Sequence, residues 1–407
     1  MPENAPDRLN SVDPFVEARL GPVTLRNRII KAATFEGVMP EALVTPELIG
    51  YHRAVAAGGA GMSTVAYLAV APEGRTHAEC IWLRPGAVPG LRQLTDAIHA
   101  EGAAAGAQIG HAGPVANSRS NKAASLAPSR RFNPLAMRII RSATAADIGR
   151  VTNDYARAAR LAADGGFDAI EIHLGHNYLL SAFLSPNLNK RTDSWGGTLD
   201  NRARFPRQAV QAVRAAVGDK LAVTAKVNMN DGVPGGLKDD ESLEFARMLQ
   251  DDGALDALEL TGGSSFANPM YLFRGDAPRE EFAATLPPHA RLGFKLAGDK
   301  LMPDYPFEEA YFLSKARRFL EVLDMPLILL GGINRLDTVQ YALDEGFAFV
   351  AMARALLRQP DLPNRWQAGT DTEGNCIHCN RCMPTIYSGT RCALDHPEPL
   401  TVGRPLI

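Results

Sequence analysis

Residues 28–36, Arg28-Ile29-Ile30-Lys31-Ala32-Ala33-Thr34-Phe35-Glu36, decide between two parallel-sheet folds. Their apolar start predicts a buried strand over 28–33. A doubly wound sheet usually places a Gly-x-Gly-x-x-Gly fingerprint right after its first strand, where glycines let the backbone approach a pyrophosphate. None follows here; the strand runs into Ala33-Thr34-Phe35-Glu36. Outward from this point, short apolar runs alternate with helix-period segments, the pattern of repeated βα units. Further strands are predicted near 61–66, 103–109, 168–172, 221–227, 256–260, 326–330 and 347–351. Helical stretches include Pro46 to Ala57, Leu91 to Glu101, Ala145 to Ala163, Arg202 to Val217, Asp240 to Asp251 and Phe307 to Leu323. About eight strands, each followed by a helix, is the count of a TIM (β/α)8 barrel. The predicted organisation is an α/β barrel over 1–368 with a short Cys-rich C-terminal extension over 369–407.

Composition is that of a soluble globular enzyme: 407 residues, 46% hydrophobic, 22% charged, formal net charge −2. Length alone allows about two or three domains, or one large barrel with an appendage. Near-neutral charge speaks against a nucleic-acid partner, and Arg130-Arg131 reads as a solvated loop. No stretch approaches the roughly 20 apolar residues of a membrane span. The start, MPENAPDRLNSVDPF, lacks a basic region followed by an apolar run, so no secretory signal is read and a cytoplasmic location is expected. Residues 110–143 and 264–306 are long insertions after strands, rich in Pro, Gly, Ser and Arg. They read as lids, substrate walls or surface decoration.

In a TIM barrel, reacting groups sit in the loops at the C-terminal ends of the strands. Those ends carry Thr34, Tyr67, Gln108 with His111, Lys226 with Asn228, Gly262-Gly263, Gly331-Gly332 and Arg354. Polar or glycine residues at each end suit a large flat cofactor in the barrel mouth. Gly331-Gly332 lets backbone N–H groups approach an anion, and the Arg354 guanidinium can grip phosphate with two N–H groups. After the fourth strand come His173, His176 and Tyr178. Two imidazoles and a phenol supply donors for an anionic oxygen and a proton source. Taken singly, each also reads as a cap, a core histidine or packing.

The stretch holding them, EIHLGHNYLLSAFLSPNLNKRTDSWGGTLDNRARF at 171–205, resembles the Old Yellow Enzyme family of FMN-dependent ene-reductases. The resemblance lies in His-x-x-His-x-Tyr-Leu-Leu-x-x-Phe-Leu-Ser-Pro, then Asn189, Arg191, Asp193, Gly196-Gly197, Asn201, Arg202, Arg204 and Phe205, and it extends over nearly all of 14–368. It implies an FMN site of Ala33, Thr34, Gln108, Lys226, Gly331, Gly332, Ala353 and Arg354. Gln108 matches the residue on the flavin pyrimidine edge, and Lys226 the basic residue near flavin N1–C2=O, where a cation stabilises reduced flavin. His173 and His176 match the pair that holds a substrate carbonyl oxygen, and Tyr178 the proton donor to the α-carbon. NAD(P)H would reduce the flavin and leave before an α,β-unsaturated carbonyl compound enters, a ping-pong sequence. The chain departs from the family at Phe35, where a flavin-tuning Thr or Cys is common; Thr34 lies one residue earlier.

Cys80 stands alone, whereas Cys376, Cys379, Cys382 and Cys392 crowd the C-terminus, which is not a disulfide framework. The run CIHCNRC resembles the iron–sulfur segment of the trimethylamine dehydrogenase and 2,4-dienoyl-CoA reductase group. Three readings stay open: a [4Fe–4S] cluster, a zinc site that His378 could join, or free thiols. The function expected is NAD(P)H-driven reduction of activated C=C bonds. One alternative is a dehydrogenase of an amine or other small substrate exporting electrons through the tail. Another is a lyase or aldolase with Lys226 as Schiff base. Expected partners are a small-molecule substrate, an electron-transfer protein and a second copy of the chain.

Overall fold

The computed structural model describes residues 11–133, 138–265, 267–286, 288–386 and 388–397. Residues 1–10, read above for a leader, and 398–407, the end of the Cys-rich extension, lie outside the described residues. Eight parallel strands close into a barrel: β1 Ile29–Phe35, β2 Met62–Ala69, β3 Ala104–Gly110, β4 Ala169–Leu174, β5 Ala222–Asn228, β6 Ala257–Thr261, β7 Leu327–Leu330 and β8 Phe349–Met352. β8 pairs with β1, which closes the cylinder. All eight predicted strands are present, displaced by a few residues at most.

Side chains alternate across each strand, so one set faces the outer helices and the other fills the barrel. Outward residues such as Ile170, Ile172, Val223, Ala225, Val227, Leu258 and Leu260 join the large core beneath the helices. Helix Ala145–Asp164 opens on a reciprocal cap between Thr144 and Asp147, and Thr45 and Thr198 cap helices Pro46–Ala57 and Leu199–Val217. Each cap satisfies an N–H the helix leaves open. At the N-terminal end of the barrel, a hairpin of Ala18–Leu20 and Val23–Leu25 packs Leu20 and Leu25 against Ile30, Met62, Ala169, Ala222, Ala257, Ile328 and Phe349. That end is an apolar floor, and the opposite end is the mouth.

Two expectations change. The helix predicted over 307–323 is confined to Leu313–Leu320. Ala310 takes a left-handed φ of 49°, its N–H donates to Gly332 O, and Tyr311 donates to Leu272 O, so the chain before the helix covers the β7 loop. Arg131 is not in a solvated loop. It is half-buried on a strand, Arg131–Asn133, of a small sheet with Leu126–Ala127 and Arg138–Ser142, which the first insertion builds. The second insertion forms helices Pro269–Phe273, Arg279–Thr285 and Pro288–Leu301. Among the described residues, no helix is long and apolar enough to cross a membrane.

Candidate active site

The end of β4 is shaped by two consecutive left-handed residues, His176 (φ 58°) and Asn177 (φ 60°). Non-glycine residues persist in that region only when their surroundings hold them there. Here Asn228 on β5 accepts from His176 N at 3.0 Å, and Ser181 Oγ accepts from Asn177 N at 3.2 Å. Thr261 at the end of β6 meets His176 Nε2 at 3.0 Å. Asn228, expected as a mouth residue, is thereby a brace: its amide also donates to Asp231 and to Gly263 O.

This loop brings the three predicted donors together. The ring of His173 lies 5.0 Å from that of His176 and 4.4 Å from that of Tyr178. Tyr67 from β2 completes the cluster, 5.3 Å from Tyr178 and 6.4 Å from His173. Burial, His176 and Lys226 push His173 well below the ordinary imidazole value. Burial and Lys226 bring His176 down to about 3. Both rings are therefore neutral near pH 7. Gly175 N donates to His173 Nδ1 at 3.3 Å, so the ring proton belongs on Nε2, where it can be donated to a ligand. His111 is different: it is fully buried and accepts from Gly113 N, the position of a structural histidine.

On the flanking strands, Gln108 Nε2 donates to Glu171 Oε1 at 2.5 Å, which leaves its carbonyl oxygen for another partner. Lys226 Nζ sits 3.0 Å from Glu171 Oε1 and 2.8 Å from Glu259 Oε1. The Glu259 contact is an ion pair without hydrogen-bond alignment, since Oε1 lacks an aligned donor. Burial opposes the Lys226 charge, but the two carboxylates outweigh it and hold the ammonium above its usual range. An ammonium paired with two carboxylates is a poor Schiff-base nucleophile, which counts against the aldolase reading. The buried cation expected at this position has its anionic partners in these two carboxylates.

At β1, Thr34 Oγ1 donates to Glu36 Oε1 at 2.5 Å, and Glu36 pairs with Lys31 at 2.9 Å. The Thr34 hydroxyl proton is thus committed, and only acceptor lone pairs face other partners. The Phe35 ring, at the position where the family resemblance commonly places Thr or Cys, packs edge-on against His77 at 5.3 Å. Ala33 and Ala353 are half-buried at the ends of β1 and β8.

The β7–β8 corner carries Gly331 (φ 120°), Gly332 (φ 75°) and Arg354. A Cβ on either glycine would collide with the Phe312 or Tyr311 ring, so both glycines are required by packing as well as by conformation. Arg354 donates to Arg274 O and to Asn380 Oδ1. Arg274, absent from the sequence reading, lies over the Tyr311 ring at 5.1 Å and the Tyr271 ring at 5.5 Å. Its Nε is buried without a hydrogen-bond acceptor. A second guanidinium with an unfilled donor beside Arg354 fits a phosphate, and the Gln108 carbonyl fits an N–H of a flat heterocycle. The donor set thus suits FMN.

The cysteine tail does not present an equally complete set. It docks on the mouth through Thr390, whose N–H and hydroxyl donate to Glu36 O and Phe35 O, and through His378, whose ring stacks on Phe307 at 3.4 Å. Cys376, Cys379, Cys382 and Cys392 form no disulfide and lie near enough to influence one another. Among the described residues, no three ligand-type side chains converge on one metal position. No step is routed through a cluster or zinc.

Residues 15–259 match the model of the NADH:flavin oxidoreductase / NADH oxidase family. The chain is 60% identical over 380 residues to a 4,4'-dithiodibutanoate disulfide reductase of Rhodococcus erythropolis, covering 93% of this chain and 94% of that one. It is 32% identical over 376 residues to a metal reductase of Desulforamulus reducens, covering 92% of this chain but 52% of that one. The chain thus spans about half the length of several curated relatives. An old yellow enzyme homologue from Zymomonas mobilis superposes with a TM-score of 0.72 at 22% identity, covering 97% of this chain and 100% of that one. With the barrel, the mouth residues and these matches in place, the chain belongs to the NADH:flavin oxidoreductase / NADH oxidase family, the Old Yellow Enzyme group of FMN-dependent, NAD(P)H-oxidising enzymes.

Proposed function

We propose that this oxidoreductase reduces the activated C=C bond of small α,β-unsaturated carbonyl compounds. The observation that carries this reading is the contact cluster of two neutral imidazoles and a phenol at the end of β4. Gln108, Lys226, Arg354 and the Gly331-Gly332 loop would hold FMN, which when bound would carry hydride from NAD(P)H to the substrate. His173 donates Nε2–H to the carbonyl oxygen, and His176 lies beside it as a second imidazole. A neutral donor there polarises the carbonyl and makes the β-carbon electrophilic. Tyr178 then gives its proton to the α-carbon and is reprotonated from solvent. Overall, NAD(P)H, a proton and the alkene give NAD(P)+ and the saturated carbonyl.

The 60% identical relative favours a second reading, reduction of a small organic disulfide carrying carboxylates. Its balance is NAD(P)H, a proton and RSSR giving NAD(P)+ and two RSH, with the imidazoles holding a carboxylate oxygen. Steady-state turnover of a cyclic enone and of 4,4'-dithiodibutanoate separates the two. Tyr178→Phe should lower enone turnover by about 10²–10⁴-fold, the usual contribution of a positioned acid, while flavin reduction by NAD(P)H stays normal. Unchanged enone turnover in the variant removes the proton-donor role. Turnover of the disulfide with none of the enone puts the second reading first. For the tail, the Cys-x-x-Cys-x-x-Cys spacing supports a [4Fe–4S] cluster and electron export. Iron and acid-labile sulfide measured on anaerobically prepared protein test that; protein with neither has no cluster.

A further inference from the structure

Lys226 on β5 stands between Glu171 on β4 and Glu259 on β6, and all three side chains are at most 7% exposed. One ammonium faces two carboxyl groups. The neighbouring groups do not redress that balance. Lys31 is closed on Glu36 at 2.9 Å, and His52, 3.8 Å from Glu36, is neutral because burial disfavours its charge. His173 and His176 are neutral, and Gln108 brings no charge while donating an N–H to Glu171. The faces of β4, β5 and β6 around the cluster otherwise offer Thr224 and Thr261, which do not titrate.

Both carboxyl groups close on the same ammonium, Glu171 Oε1 at 3.0 Å and Glu259 Oε1 at 2.8 Å from Lys226 Nζ, which crowds them together. Inside a dry barrel, an uncompensated carboxylate takes up a proton before it tolerates the desolvation of its charge. Resting on the flavin reading above, we infer that Glu171 and Glu259 share one stored proton next to Lys226, so that the cluster meets the flavin as a neutral unit and its deprotonation lowers the flavin potential. A net cation would do the opposite, favouring the extra negative charge of the reduced cofactor.

Burial, followed by the charge of Glu171, pushes Glu259 up to about 8 against the pull of Lys226. Below that pH the cluster is neutral. Above it the cluster gains a negative charge, which opposes electron addition nearby.

The test is the flavin midpoint potential of the FMN-loaded protein from pH 6 to 9.5, for the wild type and for Glu259→Gln. The two should coincide at pH 6. Above pH 8 the variant should lie higher by at least tenfold in the reduction equilibrium, about 30 mV for a two-electron couple. The wild-type plot should bend near pH 8, where Glu259 titrates, and the variant's should not. Equal potentials throughout, or an offset of one size at every pH, overturn the proposal. Infrared absorption supplies a reading that needs no flavin. A protonated-carboxyl C=O band should be present in the wild type at pH 6.5 and absent in Glu259→Gln; a wild type without it overturns the stored proton. A preparation that takes up no FMN fails the flavin reading, and the infrared band then still decides the proton.

Discussion

At the floor of the barrel the inward residues are Ile30, Met62, Ala169, Ala222, Ala257, Ile328 and Phe349, sealed by Leu20 and Leu25 of the N-terminal hairpin. One inward step higher on the same strands, Ala169 gives way to Glu171, Ala222 to Thr224 and Ala257 to Glu259. A further step brings His173, Lys226 and Thr261. The outward faces of these strands do not change in character between the two levels. What differs is the kind of support. Each floor residue is held by contact area, which every neighbour supplies independently and which pH does not alter. Each mouth residue is held by a specific partner, so removing one member leaves another uncompensated in a dry site.

Phe349→Ala should have the largest effect on stability. Its ring is fully buried against the floor, and truncation leaves a cavity worth about 3–5 kcal/mol. Urea unfolding should show that loss at pH 6 and pH 8 alike, with FMN affinity per folded molecule retained. A loss that varies with pH, or weakened FMN binding in the folded fraction, would erase the distinction between the two levels.

Lys226→Met tests the mouth in the same assay. Breaking a buried ion pair costs about 3–5 kcal/mol, because the abandoned partner stays buried. Here the pH dependence decides. Without the ammonium, the carboxyl groups of Glu171 and Glu259 can remain buried only by binding protons, while in the unfolded chain they ionise near their usual values. The folded state then binds more protons than the unfolded state, and stability falls as pH rises. The loss relative to wild type should be largest near pH 8 and shrink toward pH 5. A loss of equal size at both would place Lys226 with the floor residues, held by its methylene contacts.

The two levels were also unequally legible in the sequence. The eight strands stand out because each outward face is apolar and each strand is bounded by loop residues, a local pattern. His173, His176, Tyr178, Gln108 and Arg354 could be found because strand ends in a barrel are a rule of position. Glu171 and Glu259 escaped because each lies inside an apolar run and acquires meaning only from the strand beside it. The available signal was the period of two: Glu171 with His173, Thr224 with Lys226, Glu259 with Thr261. Arg274 left no such signal. It comes from a long insertion, and only the folded chain lays its guanidinium over Tyr311.

The tail can be assigned to one level or the other by the smallest of these effects. Thr390 Oγ1 donates to Phe35 O at 2.6 Å, while its N–H donates separately to Glu36 O at 2.7 Å. Thr390→Val keeps the N–H bond and nearly the same shape, and removes only the hydroxyl donor. Loss of one half-buried neutral hydrogen bond costs about 0.5–1.5 kcal/mol, which urea unfolding can resolve. Phe35 and Glu36 continue the segment in which Glu36 orders Thr34 and Lys31. If the tail belongs to the mouth, freeing this contact should also speed FMN release, measured as the rise of flavin fluorescence after dilution. If FMN release is unchanged while stability falls, the tail braces the barrel as the hairpin does at the floor, and its thiols act independently of the flavin site.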